Sequence, residues 1–236
     1  MKTVIHKANT RGHANHGWLD SHHSFSFANY YDPSRVHFGL LRVLNDDIVK
    51  GGMGFGTHPH DNMEIVSIPL SGALEHKDTT GRNEIIKTND VQIMSAGSGI
   101  AHSEYNASKT EPVNFLQIWV FPKLKNIPPR YEQKTVNPED RVNNLQTVVS
   151  PEKDSSGVLI NQDAWFLLGN LKKGFSTDYT IKKNGNGVYA FVLNGDVTID
   201  SQKLNKRDGI EISEVDKISI TADTDAEILL IEVPMN

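Results

Sequence analysis

No cysteine occurs among the 236 residues, which removes disulfide staples, zinc–thiolate centres and cysteine nucleophiles together. No apolar run approaches the ~20 residues that a membrane-spanning helix needs. The opening residues, Met1 to His6, lack the long apolar stretch of a secretory leader. Basic runs long enough to track a phosphate backbone are also missing, and the formal net charge is -5. The expectation is therefore a soluble, cytoplasmic protein, monomeric, with neither nucleic acid nor membrane as its partner. One further absence is local: all ten histidines fall between His6 and His102, and the rest of the chain has none.

Helical periodicity is scarce. Short runs rich in Val, Ile, Phe and Thr recur instead, among them 64–70, 84–87, 91–94, 114–121, 165–168, 189–193, 217–221 and 227–233. Gly, Asn, Asp and Pro separate them, and that rhythm predicts an all-β sandwich or barrel. A weak internal repeat suggests two of them. Leu70-Ser71-Gly72-Ala73-Leu74-Glu75 has the pattern of Leu193-Asn194-Gly195-Asp196-Val197-Thr198, and Asp90 and Asp208 each open the strand that follows. Pro122, Pro128-Pro129 and the polar stretch to Asp140 mark the boundary, giving units of 1–130 and 131–236. Superposing the halves puts Ile181 and Lys183 near the places of His58 and His60, so an imidazole site is expected only in the first.

Thr57-His58-Pro59-His60 holds two imidazoles at i and i+2, which share one face of an extended chain. About forty residues on, His102-Ser103-Glu104 repeats the spacing with an imidazole and a carboxylate. Facing strands carrying these pairs would form a three-nitrogen, one-oxygen cage. That donor set suits one divalent ion, with Fe(II) preferred and Ni, Cu, Co, Mn or Zn as alternatives, and leaves positions open for a substrate. Glycines precede both pairs, at Gly52, Gly54 and Gly56 and at Gly97 and Gly99, where tight turns into inward-pointing strands are needed.

The spacing is similar to the two cupin motifs: Gly52, five residues, then His58-x-His60, and later Gly99, His102 and Asn106. More specifically, the chain resembles the pirin family. The segments 11–21, 25–33, 54–64 and 94–106 resemble its bacterial, quercetinase-like branch, and the likeness is looser in the second half. The resemblance implies a bicupin of two stacked antiparallel barrels, with metal only in the first. Its ligands would be His58, His60, His102 and Glu104. Ordinary cupins take their carboxylate from the position of Glu64, but seven residues separate Glu64 from Gly72 where the common pattern has six. Glu104 is therefore preferred, with Glu64 second. The implied activity is a metal-dependent dioxygenase that opens the central ring of a flavonol such as quercetin with O2, releasing carbon monoxide, with Glu104 as catalytic base. The alternatives are a metal- or redox-sensing regulator acting through protein partners, and a cupin enzyme on another enolisable metabolite.

Other residues receive structural readings. His13, His16, His22 and His23 lie inside a family signature and are expected to be structural rather than a second metal cluster. His76 is expected on a surface strand, with a place behind the metal ligands as the alternative. Trp18, Phe25, Phe27, Trp119 and Trp165 are expected in the core, and Pro69 at an edge or bulge.

Overall fold

The computed structural model describes residues 1–236 and contains 22 β-strands and two short 3-10 turns. Four antiparallel-rich sheets form two barrels. In the first, a seven-stranded sheet runs in the order Arg130–Thr135, Asp90–Ser95, Glu64–Ser71, Val113–Val120, Leu41–Val49, Leu19–His23, Gly12–Asn15. A four-stranded sheet of Gly54–His60, Ile100–Asn106, Ala73–Asp78 and Asn83–Lys87 closes it. The second barrel repeats the plan. Its seven-stranded sheet is Lys2–His6, Gly209–Ser213, Asn186–Asn194, Ala226–Pro234, Trp165–Leu171, Leu145–Ser150, Val158–Leu159, and its smaller sheet is Ser176–Thr180, Lys217–Ala222, Val197–Ile199, Gln202–Leu204. The repeated turn is structural. Gly72 and Gly195 have φ of 76° and 74°, and at each the chain leaves a large sheet for a small one. That left-handed backbone favours glycine.

Two strands cross the boundary expected at 130/131. Lys2–His6 pairs with Gly209–Ser213 of the second barrel, and Arg130–Thr135 pairs with Asp90–Ser95 of the first. The physical reason is edge protection: each strand covers an otherwise open edge of a large sheet with backbone hydrogen bonds.

Period-two alternation explains the stacking. In Val113–Val120, Leu116, Ile118 and Val120 face the second barrel, and in Ala226–Pro234, Leu229, Ile231 and Val233 face the first. These residues belong to one 25-residue apolar cluster between the two large sheets. The barrel interiors differ sharply. The second holds 18 buried apolar residues. Its one inward carboxylate, Glu232, is saturated by Tyr179 Oη, the backbone N–H groups of Lys182 and Lys183, and Asn186 Nδ2. Ile181 packs on that core and Lys183 pairs with Asp163. The first barrel has only two small apolar clusters, of six and four residues. Between them lie His76, His102, Glu104, Ser67, Gln92 and Gln117, all buried. One barrel is filled with hydrocarbon, and the other is hollowed for polar chemistry.

Pro69 occupies both expected settings. The pairing of Glu64–Ser71 with Asp90–Ser95 stops at Ser67, and a register shift opposite Phe115 bulges the chain at this point.

Candidate metal centre

The small sheet of the first barrel positions the histidines. Gly54–His60 and Ile100–Asn106 are antiparallel neighbours with His58 directly opposite His102, and a register shift opposite His102 and Glu104 puts an extra residue into Gly54–His60. The rings of His58, His60 and His102 form a nearly equilateral triangle, with centroid separations of 4.9, 4.6 and 5.0 Å. Their ligating nitrogens all lie within 4.8 Å of one another. Glu104 belongs to a second triple, with His76 and His102, of the same tightness. Its oxygens accept from Ser67 Oγ at 3.1 Å and Gln117 Nε2 at 2.6 Å.

Hydrogen bonds assign the tautomers. His58 Nδ1 donates to the Gly56 carbonyl at 2.7 Å, which leaves its Nε2 lone pair free. His76 Nε2 donates to Asp78 Oδ2 at 3.1 Å, so His76 Nδ1 accepts from His102 Nδ1 at 3.4 Å. His102 Nε2 is then an unprotonated acceptor, and it is buried with no partner. Left so, such an atom costs roughly 1–3 kcal/mol. A coordinated cation removes that cost, so the residues fit a metal ion. Burial, reinforced by the neighbouring imidazoles, holds His60 at about 4 and His102 at about 3. Both rings are therefore neutral ligands at physiological pH.

His76 is fully buried, contrary to the surface position expected. On Ala73–Asp78 it shares the inward parity of Leu74 and Asp78, and the Asp78–His76–His102 chain orients the last imidazole. Outer partners of this kind are commonly worth 10–100-fold in metal affinity. His76→Ala is expected to weaken metal binding by about that factor without abolishing it. Chelator competition measures it, and an affinity equal to wild type would remove the chain from the account.

Glu64 does not join either triple. It is buried, and it accepts from Ser95 Oγ at 2.8 Å and from the backbone N–H of Asn161 at 3.1 Å, linking the first barrel to a loop of the second half. Glu64→Gln is expected to leave metal content unchanged and to lower stability by about 1–3 kcal/mol, since an acceptor of two donors is altered. Metal analysis and thermal unfolding test the two halves of that statement, and loss of the ion would reinstate Glu64 as a ligand.

A cavity of about 310 Å³ opens beside His58 and Glu104, at the lower end of the size range for small-molecule sites. Trp18, Phe27, Phe55 and Trp119 line it. Of the aromatics expected in the core, Phe25 and Trp165 are there. Trp18, Phe27 and Trp119 are half-buried and wall the cavity instead, because facing polar residues leave a gap that apolar side chains would have closed. The polar lining includes Ser21, His23, Asn45, Asp47 and Gln117. Three atoms of the lining residues, Asn45 Oδ1, His23 Nδ1 and Trp119 Nε1, are buried without hydrogen-bond partners.

Ser21 and Asp47 were not singled out from the sequence, and His23 was expected to be structural. Ser21 Oγ contacts His23 Nε2 at 2.8 Å and also bonds Asp47 Oδ1. Burial pushes Asp47 up to about 7, opposed by the Ser21 bond, while the Asp46 and Glu104 charges add to the rise. A carboxyl raised in the folded state stabilises below its unfolded pKa and loses that contribution as pH rises through the folded value. Wild type should therefore lose stability relative to Asp47→Asn between about pH 4 and pH 7, by up to roughly 1.4 kcal/mol per unit, and level off above. Denaturant unfolding at stepped pH reads this difference. A gap independent of pH would show that Asp47 titrates normally.

Comparison with known proteins matches both halves of the chain. Residues 4–120 match a family model described as Pirin, and residues 147–233 match one described as Quercetinase C-terminal cupin domain. A protein named quercetin 2,3-dioxygenase from Escherichia coli K12 is 46% identical over 230 residues, 98% of each chain. A pirin-like protein of Caulobacter vibrioides is 41% identical over 94% of this chain and 95% of its own. Among solved structures, bacterial pirin YhhW of Escherichia coli in complex with nickel(II) superposes with a TM-score of 0.93 at 45% identity, covering 99% of both chains.

Proposed function

This chain belongs to the pirin family, and from that premise we propose that it is a metal-dependent dioxygenase that opens the central ring of a flavonol such as quercetin with O2 and releases carbon monoxide. The observation that carries the reading is a triangle of three imidazoles whose His58, together with Glu104, lines an aromatic-walled cavity with unpartnered polar atoms that suit a hydroxylated aromatic ligand. The Escherichia coli relative supports it: it is named quercetin 2,3-dioxygenase, and a solved structure of the Escherichia coli pirin YhhW holds nickel(II).

His58, His60 and His102 would hold the ion, with Glu104 as the fourth ligand. A divalent ion bound there supplies Lewis acidity, which lowers the pKa of a chelating hydroxyl and favours the anionic form of the flavonol's 3-hydroxy-4-carbonyl edge. Glu104 takes the proton. Its Oε1 is freed for that role when the Ser67 hydroxyl turns to Gln117 Oε1, also 3.1 Å away. Trp18, Phe27, Phe55 and Trp119 stack against the planar rings and exclude water. Asn45 Oδ1 accepts from a ring hydroxyl, and Trp119 Nε1 donates to a ring oxygen. The overall reaction balances: one flavonol and one O2 give one carbon monoxide and one ester of the two aromatic halves.

Anaerobic mixing of metal-loaded protein with quercetin tests the binding half. The chelated flavonolate should appear as a red-shifted absorption band, and metal-free protein should not produce it. Metal-loaded protein that leaves the quercetin spectrum unchanged would exclude flavonols as ligands of this centre.

A further inference from the structure

The hairpin that walls the cavity carries a second set of donors on its other face. Gly12–Asn15 pairs with Leu19–His23 in a register that puts His13 opposite His22 and Asn15 opposite Asp20. Alternation sends Leu19, Ser21 and His23 toward the cavity and Asp20 and His22 away from it. His13, as the direct cross-strand neighbour of His22, shares that outward face. The imidazoles of His13 and His22 are stacked at 4.5 Å with 20° between their planes. Asp20 Oδ1 sits 2.9 Å from His13 Nε2 and 3.6 Å from His22 Nδ1.

We infer that His13, Asp20 and His22 form a second, accessory site for a divalent transition-metal ion, distinct from the central one. Ligands about 2.0–2.1 Å from a tetrahedral ion stand roughly 3.3–3.4 Å apart, and the two observed separations bracket that edge. A shift of a few tenths of an ångström in exposed side chains brings three donors onto one ion. Two neutral imidazoles and a carboxylate suit Zn(II), Ni(II) or Cu(II) better than a hard cation such as Mg(II). His22 is half-buried beside His13 and close to Arg11. Arg11 itself pairs with Asp46 at 3.5 Å, so the surrounding field is nearly neutral. Half-exposed ligands and an open coordination sphere make this the weaker site. An ion bound there ties together both strands of the hairpin that carries Ser21 and His23 into the cavity.

Calorimetric titration of Zn2+ into wild type and into His13→Ala, Asp20→Asn and His58→Ala proteins tests the inference. The expected result is a weaker equivalent that disappears in His13→Ala and in Asp20→Asn but persists in His58→Ala. The two hairpin changes and the change at His58 all lie at exposed or half-exposed positions, and circular dichroism checks that each variant is folded. The hairpin amides should also exchange more slowly when Zn2+ occupies that site in the His58→Ala protein. A weaker equivalent equally present in His13→Ala and Asp20→Asn, or the absence of any equivalent insensitive to His58, would overturn the assignment. If the central site itself fails to bind Zn2+, the His13-dependent equivalent remains and the two outcomes are told apart.

Discussion

His102→Ala protein is expected to bind its metal at least about a hundredfold more weakly than wild type, beyond the 10–100-fold typical of losing a supporting residue. The reason is position. His102 belongs to both candidate triples, its Nε2 is buried without another partner, and the Asp78–His76 chain exists to aim it. His58→Ala and His60→Ala should behave alike, because each removes one corner of the same triangle. Metal per chain after gel filtration reads the loss directly. Thermal unfolding gives an independent reading: added metal should raise the Tm of wild type well above the smaller rise in His102→Ala, where only the weaker hairpin site is left to bind it, since a ligand stabilises only the state that binds it. A His102→Ala protein that keeps a full equivalent would place the centre elsewhere.

Glu104→Gln should lose at least about a hundredfold in quercetin turnover near neutral pH, the lower range for general-base catalysis, while keeping much of its metal. The substitution is sterically mild in this setting. A glutamine carbonyl can accept from Gln117 Nε2 as the carboxylate does, and its amide can donate to Ser67, whose hydroxyl then turns to Gln117 Oε1. What is lost is the charge that takes the proton. Turnover should recover as pH rises and the flavonol ionises unaided, which is the mark of a base rather than of a prop. A metallated Glu104→Gln protein with wild-type turnover near neutral pH would remove the base assignment. Inactivity at every pH with full metal occupancy would make Glu104 a positioning group.

Much of this centre was legible in the sequence because extended backbone converts spacing into direction. His-x-His on one strand and His-x-Glu on its neighbour can converge in only a few ways, and the glycine framing marked where the turns fall. The two-barrel plan was legible for a similar reason, through the strand rhythm and the paired turns at Gly72 and Gly195. His76 was not, because Glu75 and Lys77 give its segment a solvated look, while the inward parity of Leu74, His76 and Asp78 shows only once the strand is placed. The cavity wall was hidden for another reason. Whether Trp119 is core or lining depends on its neighbours in the fold: Gln117 shares its strand, but Asn45 and Asp47 come from Leu41–Val49, some seventy residues earlier. Long-range pairing was equally silent: Lys2–His6 carries no local sign that its partner is Gly209–Ser213, more than two hundred residues away.

Carbon monoxide released per quercetin consumed, followed against metal occupancy in wild-type protein, tests the central claim most directly. The account predicts one carbon monoxide per quercetin, at a rate proportional to the fraction of chains carrying the ion and abolished when a chelator removes it. Quercetin consumed without carbon monoxide, or consumed equally fast by metal-free protein, would contradict it.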